Sequence, residues 1–534
     1  MTVEIEVKLP AINAPATSAP AKLINRNPAT GEVLGEYAMA SAEDVAAAVT
    51  RARAAQAAWA QVPLPRRVAV IWRFIDLLAQ RKEVVAATIS AEAGKPRVEA
   101  LLTEVMVVLD AARFCAENAY RVMREEPLAH GNLAMKTKRG RLVPEPVGVI
   151  GIIAPWNYPF SIPATETLAA LVTGNAVVLK PSELTPNSSL KLAELLHEAG
   201  VPGDALQVVV GYGAAGAALI ASGVDKVIFT GSVATGKRVA AAAAEKLIPC
   251  VLELGGKDAM VVLEDADVDV ASSAAVWGGL MNAGQTCISV ERCYVHRAIY
   301  REFVQAVAAK MSALKVGNGC VDGTCVGPMI STRQLEIVES LVEDARANGA
   351  EVVVGGKRLP ELGEQFYAPT LITGINHGMR IMKEELFGPV IPVMQFDTDA
   401  EAIAMANDSE FGLSASVWTG DSARGERVAR RIKSGAVMVN DLLTTFGISE
   451  APHGGVKASG IGRTHGLMGM REMVTQKYLD VEMLPRMKKL WWFGYSERFE
   501  KQMHGFVDML FAPGLAGRVK GALKTTPALL RKRL

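Results

Sequence analysis

The chain has almost no excess of charge of either sign. Its 57 lysines and arginines stand against 56 aspartates and glutamates in 534 residues, a net charge of +1. Without a basic field nothing global draws a polyanion, and no nucleic-acid partner is expected. Cysteine is scarce too. The six thiols, at 115, 250, 287, 293, 320 and 325, are scattered, which argues against a disulfide-stapled scaffold and favours a reducing, cytoplasmic setting. No cysteine pair has zinc-ligand spacing with histidine partners, so no metal site is expected. Also missing is any run of about 20 apolar residues, the length that spans a bilayer. Glu4 and Glu6 stand where a signal peptide would hold its apolar core.

What is present is an ordinary globular composition, 50% hydrophobic and 21% charged. The length exceeds what one core usually organises, so two or more domains are expected. Residues 1–21, rich in Ala and Pro, read as a flexible arm. Ser41-Ala42-Glu43-Asp44 has capping-box spacing and opens a long Ala-rich helix; further helices are expected over 64–94 and 96–127. Arg139-Gly140, between Leu133-Ala134-Met135-Lys136 and Arg141-Leu142-Val143, reads as a hairpin turn. Short apolar strands at 147–153, 176–179, 207–210, 226–229 and 251–254 then alternate with helices, and a second alternating set fills 255–440. That alternation predicts an α/β fold with parallel, helix-covered sheets.

Gly211-Tyr212-Gly213-Ala214-Ala215-Gly216 matches the form of a dinucleotide fingerprint, but the acidic residue about 20 positions on is missing. A second turn, Phe229-Thr230-Gly231-Ser232-Val233-Ala234-Thr235-Gly236, also follows a strand and opens a helix. Its N–H groups and helix dipole can face an anion. Cys287, in Gly284-Gln285-Thr286-Cys287-Ile288-Ser289, lies 34 residues after Glu253 in Leu252-Glu253-Leu254-Gly255-Gly256-Lys257. A thiolate can attack a carbonyl carbon and hold it as a thioester. A carboxylate can then activate the water that hydrolyses the thioester.

These two runs, with Pro155-Trp156-Asn157-Tyr158-Pro159 upstream, resemble the aldehyde dehydrogenase superfamily from about Ile24 to Met483. The resemblance implies a Rossmann-like cofactor domain (22–132 and 149–254), a catalytic domain (255–442) and a return segment (443–475). It also implies oligomerisation strands at 133–148 and 476–484, hence a homodimer or homotetramer. Cys287 would be the nucleophile, Glu253 the base, and Asn157 the oxyanion donor together with the Cys287 N–H. Trp156, Lys180, Ser182, Glu183, Gly231, Ser232, Glu385 and Phe387 would hold the cofactor. A carboxylate at Glu183 favours NAD, while the small Ser182 leaves room for the 2′-phosphate of NADP.

Three positions depart from common relatives. Thr165-Glu166 stand where succinate-semialdehyde enzymes often have Arg and many relatives have Lys; Thr475 falls where the proton-relay region often has Glu. The sequence style nevertheless looks close to bacterial proteins labelled succinate-semialdehyde dehydrogenases. An uncharged or aliphatic aldehyde fits the missing Arg better. Succinate-semialdehyde oxidation, acyl transfer to coenzyme A and a catalytically retired structural role remain as alternatives. Residues 485–534 extend past the family's usual end. There Trp491, Trp492, Tyr495, Phe499, Met503, Phe506 and Leu510 largely recur at helical spacing, and Arg518, Lys520, Lys524, Arg531, Lys532 and Arg533 follow with no acid after Asp508. Such a segment can pack on the enzyme or its dimer partner, or lie peripherally on an anionic membrane.

Overall fold

The computed structural model describes residues 22–132, 135–489 and 491–529. The arm expected at 1–21 and the basic cluster at 531–533 lie outside them. Two compact units result: one of residues up to Glu125 with Val143–Lys477, the other of Glu126–Leu142 with the chain from Tyr478 onward.

The first unit contains two sheets. In the six-stranded sheet the order is Gly460–Ile461, Cys250–Glu253, Lys226–Thr230, Val149–Ile153, Ala176–Lys180, Leu206–Val208. All neighbours are parallel except the short Gly460–Ile461 strand. Helices cover both faces, so Val-Ile-Gly-Ile-Ile and Ala-Val-Val-Leu-Lys are buried at every position instead of alternating. Each Val, Ile or Leu so enclosed contributes about 1.5–3 kcal/mol. The strand order reverses between Val149–Ile153 and Lys226–Thr230, and ligands of open α/β sheets bind beyond the strand ends at such a reversal. The Gly211–Gly216 loop instead follows the edge strand Leu206–Val208, away from that point. Its matching form is an ordinary strand-to-helix turn.

The second sheet has seven strands in the order Glu351–Val354, Thr370–Thr373, Val390–Phe396, Val290–His296, Asp258–Val262, Ser414–Trp418, Ala436–Val439, with only the first antiparallel. Local readings of the N-terminal half hold closely. Ser41 Oγ accepts from Asp44 N (3.1 Å) and Asp44 accepts from Ser41 N (3.0 Å), capping the helix Ala42–Gln61. The helix expected over 96–127 carries a π-helical turn at Ala100–Val105 before Met106–Val122.

Two expectations are corrected. Arg139-Gly140 is no turn: both lie inside the continuous strand Lys138–Pro146, which pairs antiparallel with Glu126–Leu128 and also borders Val474–Glu482. Gly140 is needed there because a Cβ would meet the Tyr478 hydroxyl at 2.8 Å. In the second unit, Trp491, Trp492 and Tyr495 precede the helix Glu497–Phe511 and do not belong to its stripe. That helix pairs with Leu515–Leu529, closely enough that a Cβ on Gly521 would lie 2.2 Å from Met509 N.

Candidate active site

The strand ends at the reversal deliver most of the predicted residues. Val149–Ile153 runs into Trp156 and Asn157, Lys226–Thr230 into Gly231 and Ser232, and Ala176–Lys180 ends on Lys180. Gly231 N donates to the Glu253 carbonyl (3.0 Å), which ties the anion-facing turn to the strand carrying the candidate base.

Cys287 is held by a strained turn. Asn282, Ala283 and Gly284 all have left-handed backbone, with φ of 54°, 54° and 70°. Gly284 alone in this run carries no Cβ, and one there would lie 2.0 Å from Gly388 O. Strain held at such a loop is a common mark of a working site. Asn157 faces the same loop and is buried. Its side-chain amide donates to Gln285 O (3.1 Å), which orients the second N–H for another acceptor. Among the described residues, the Cys287 N–H donates to no backbone carbonyl. Burial, reinforced by the carboxyl groups of Asp258, Glu385 and Glu253, holds the Cys287 thiol well above its usual range, so it rests protonated.

Glu253 is 5% exposed, and neither carboxyl oxygen has a hydrogen-bond partner. The nearby Thr464 N–H already donates to His453 O (2.8 Å). Burial first, then the Glu166 carboxyl, pushes Glu253 far above the carboxylate range, with Arg463 opposing. Glu253 and Cys287 line one small cavity, of about 20 Å³, with Thr165 and Glu166 on its wall. Gly454 must stay a glycine, because a Cβ there would sit 2.7 Å from Glu253 Oε1.

The glycine pair after Glu253 does admit a close approach, but the approaching groups come from this chain. A Cβ on Gly255 would meet Glu385 Oε2 at 2.3 Å, and one on Gly256 would meet Cys287 O at 2.2 Å. Glu385 accepts from Gly256 N (3.0 Å), and burial pushes its carboxyl up to about 8. Phe387, at φ +49°, meets Trp156 edge-on with ring centroids 5.3 Å apart.

Lys180 ends its strand buried, its ammonium reaching only Glu183 at a long 3.4 Å. Desolvation lowers its pKa. Ser182 accepts from Leu184 N (3.2 Å). A buried cation with one distant partner fits polar hydroxyls. The N-terminus of the 13-residue helix Val233–Glu245, where exposed Ser232 caps Thr235 N at 3.4 Å, fits a diphosphate. The donor set therefore suits a dinucleotide.

Thr475 does not belong to this site. It lies exposed on Val474–Glu482 beside Glu145 O, while Thr464 and His465 take the place by Glu253. Sequence reasoning also missed two buried ion pairs. Lys95 binds Glu104 (2.6 Å) and the Asn157 carbonyl (2.7 Å), while Glu104 accepts from Phe160 N and Ser161 N. Lys257 binds Glu291 (2.8 Å), which accepts from Leu386 N and Phe387 N. The adjoining Gly94-Lys95-Pro96 and Gly255-Gly256-Lys257 runs were the available clue, since lysine beside glycine or proline is poorly explained by helix propensity. A charge so deeply buried needs a fixed partner.

Beyond Cys287 opens a larger cavity, of about 490 Å³, bounded by Leu102, Met106, Val107, Trp277, Ile288, Leu443 and Phe446 among others. Asp110 is its one charged lining residue. Among the described residues, no group of three or more His, Cys, Asp or Glu could hold a metal ion.

Comparison with known proteins agrees with this geometry. The aldehyde dehydrogenase family model matches residues 16–479. A putative succinate-semialdehyde dehydrogenase [NADP(+)] of Mycolicibacterium smegmatis is 40% identical over 83% of this chain and 85% of its own. The 4,4'-diapolycopene aldehyde oxidase of a Methylomonas species is 38% identical over 91% and 90%. Among solved structures, the NAD+ complex of aldehyde dehydrogenase from Bacillus cereus superimposes with a TM-score of 0.83 at 37% identity, covering 86% of this chain and 93% of that one. The chain belongs to the aldehyde dehydrogenase family and oxidises aldehydes with NAD(P)+.

Proposed function

We propose that the substrate is an uncharged, aliphatic aldehyde, oxidised to its acid at Cys287. The carrying observation is the cavity that opens on Cys287: it is walled mainly by apolar side chains, and among the described residues it contains no Lys, Arg or His and its single charge is acidic. A succinate semialdehyde would bring its carboxylate there unpaired, at a cost of several kcal/mol. The relative named for diapolycopene aldehyde is easier to reconcile with this lining than those named for succinate semialdehyde.

In the proposed reaction Cys287 Sγ passes its proton to a water molecule and adds to the carbonyl carbon, and the new oxyanion takes the free N–H of Asn157 and the Cys287 N–H. NAD(P)+, when bound, supplies the acceptor for the hydride that turns the adduct into a thioester. Water then adds to the thioester carbon as Glu253 takes its proton; the C–S bond breaks and its electron pair returns to Sγ. Gly231 and Ser232 hold the diphosphate, Lys180, Ser182 and Glu183 the adenosine ribose, and Glu385, Phe387 and Trp156 the nicotinamide end. Glu183 favours NAD, and Glu253 favours water over coenzyme A as the acyl acceptor. An absorbance screen of NAD(P)H formation tests the substrate assignment. Straight-chain aldehydes should exceed succinate semialdehyde in kcat/KM by at least about tenfold. A preference for the acidic substrate, or formation of acyl-coenzyme A, would overturn it.

The second unit bears on location and assembly. No described helix is long and apolar enough to cross a membrane. On the last helix Leu515 (81% exposed), Val519 and Leu523 (71%) form an uncovered apolar stripe at four-residue spacing, beside Arg518, Lys520 and the Asp508-paired Lys524, with exposed Phe511 at the end of the preceding helix. This pairing of apolar and basic groups supports peripheral contact with an anionic lipid surface by an otherwise cytoplasmic enzyme. The exposed edge residues Tyr478, Leu479 and Val481 support strand pairing in a homodimer or homotetramer. The full chain should co-sediment with phosphatidylglycerol vesicles, and Leu515→Glu/Leu523→Glu should not. Equal binding of both would remove the membrane contact, and a monomer mass in sedimentation without vesicles would remove the assembly.

A further inference from the structure

The cavity behind Cys287 holds a second carboxyl group for which the reaction above has no use. Glu166 lies on the helix Ser161–Val172, every residue of which is buried, and is itself 4% exposed. It faces the same closed space as Glu253. The space continues past Glu166, Thr464 and His465 into a small apolar recess against the helix Met106–Val122. Two buried carboxyl groups ordinarily require a cation between them. None lines this cavity.

The titratable groups facing the pair come from three directions. From the return segment, burial keeps the His453 ring neutral, its pKa pushed down to about 4, and that of His465 to about 3. Arg463 acts on Glu253 from the same segment, but its guanidinium is engaged by the carbonyls of Gly455 (2.9 Å) and Gly462 (2.6 Å). From Met106–Val122 comes the Cys115 thiol, pushed up to about 12 and so neutral. From the nucleophile loop comes Cys287, also neutral. When Glu166 ionises, Glu253 is the titratable group left to feel that charge across the shared cavity.

We propose that Glu166 is a positioning residue of the hydrolytic step: across the shared cavity its carboxylate opposes ionisation of Glu253 and thereby sets the acidic edge of thioester hydrolysis. This rests on Glu253 being the base. Burial pushes the Glu166 carboxyl up to about 8, and its charge is the main electrostatic influence holding Glu253 higher still. The wild-type enzyme therefore hydrolyses the thioester faster as pH rises.

The test compares wild type with Glu166→Gln, which keeps shape and removes the charge. A rapid-mixing burst of NADH counts folded, acylating sites, and the steady-state rate per burst site is followed from pH 6 to 10. The acid limb of that rate should move down by at least about one pH unit in Glu166→Gln. Limbs that coincide would overturn the proposal. If Glu166→Gln fails to give a burst, Glu166→Met is measured in the same way. Glu253→Gln separates the two readings. A trapped thioester there with coincident limbs in Glu166→Gln defeats only the pairing. No trapped thioester defeats the role of Glu253 itself.

Discussion

Replacing Cys287 by alanine lowers kcat for aldehyde oxidation by at least about 10⁴-fold, to the background of the assay, while NAD+ still binds. The size of the effect follows from the absence of a substitute. An aldehyde carbon has no hydroxyl to deprotonate, so without addition of a nucleophile no adduct forms from which hydride can leave. Cys293, six residues on, is fully buried within the strand Val290–His296, and burial keeps its thiol protonated. Binding survives because the residues assigned to the dinucleotide lie on other elements: Lys180 and Glu183 after one strand, Gly231 and Ser232 after another. Calorimetric titration with NAD+ and an NADH-release assay on the same preparation check both halves. Retained turnover within about tenfold of wild type would take the nucleophile role from Cys287.

Replacing Glu253 by glutamine gives a different failure. The first turnover still releases NADH, but the steady-state rate falls by about 10²–10⁴-fold, the range of a lost general base. Glutamine fits the site, since neither oxygen of the native carboxyl is committed to a partner. The substitution therefore removes a proton acceptor without orphaning a donor. A burst followed by near-silence is the expected trace. Loss of both phases together would mean that Glu253 serves acylation as well as hydrolysis.

Much of this was legible in the sequence because motifs and periodicity are local. The parallel strands announced themselves as short apolar runs, and the helix after Ser41 as a capping box. Cys287, Glu253 and Asn157 stand out in the sequence through glycine- and proline-rich settings that ordinary packing does not require. What escaped was set by tertiary contact. Arg139-Gly140 looked like a turn because glycine is free at a turn, yet here glycine is needed within a strand to clear Tyr478. By resemblance Thr475 falls in the proton-relay region, whereas the return segment bends so that Thr464 and His465 reach the cavity instead. The buried pairs Lys95–Glu104 and Lys257–Glu291 join residues nine and 34 apart, and no spacing rule marks their burial. The apolar stripe of the last helix was obscured by the aromatic run before it, which lies outside any helix.

The central claim is that an aldehyde carbon becomes covalently bound to Cys287 and waits there for Glu253. Intact-mass analysis of Glu253→Gln, quenched in acid after mixing with NAD+ and a straight-chain aldehyde, tests it most directly. The account predicts one acyl group per chain, mapped by peptide digestion to Cys287 and removed by hydroxylamine. An unmodified chain, or an acyl group on any other residue, would contradict it.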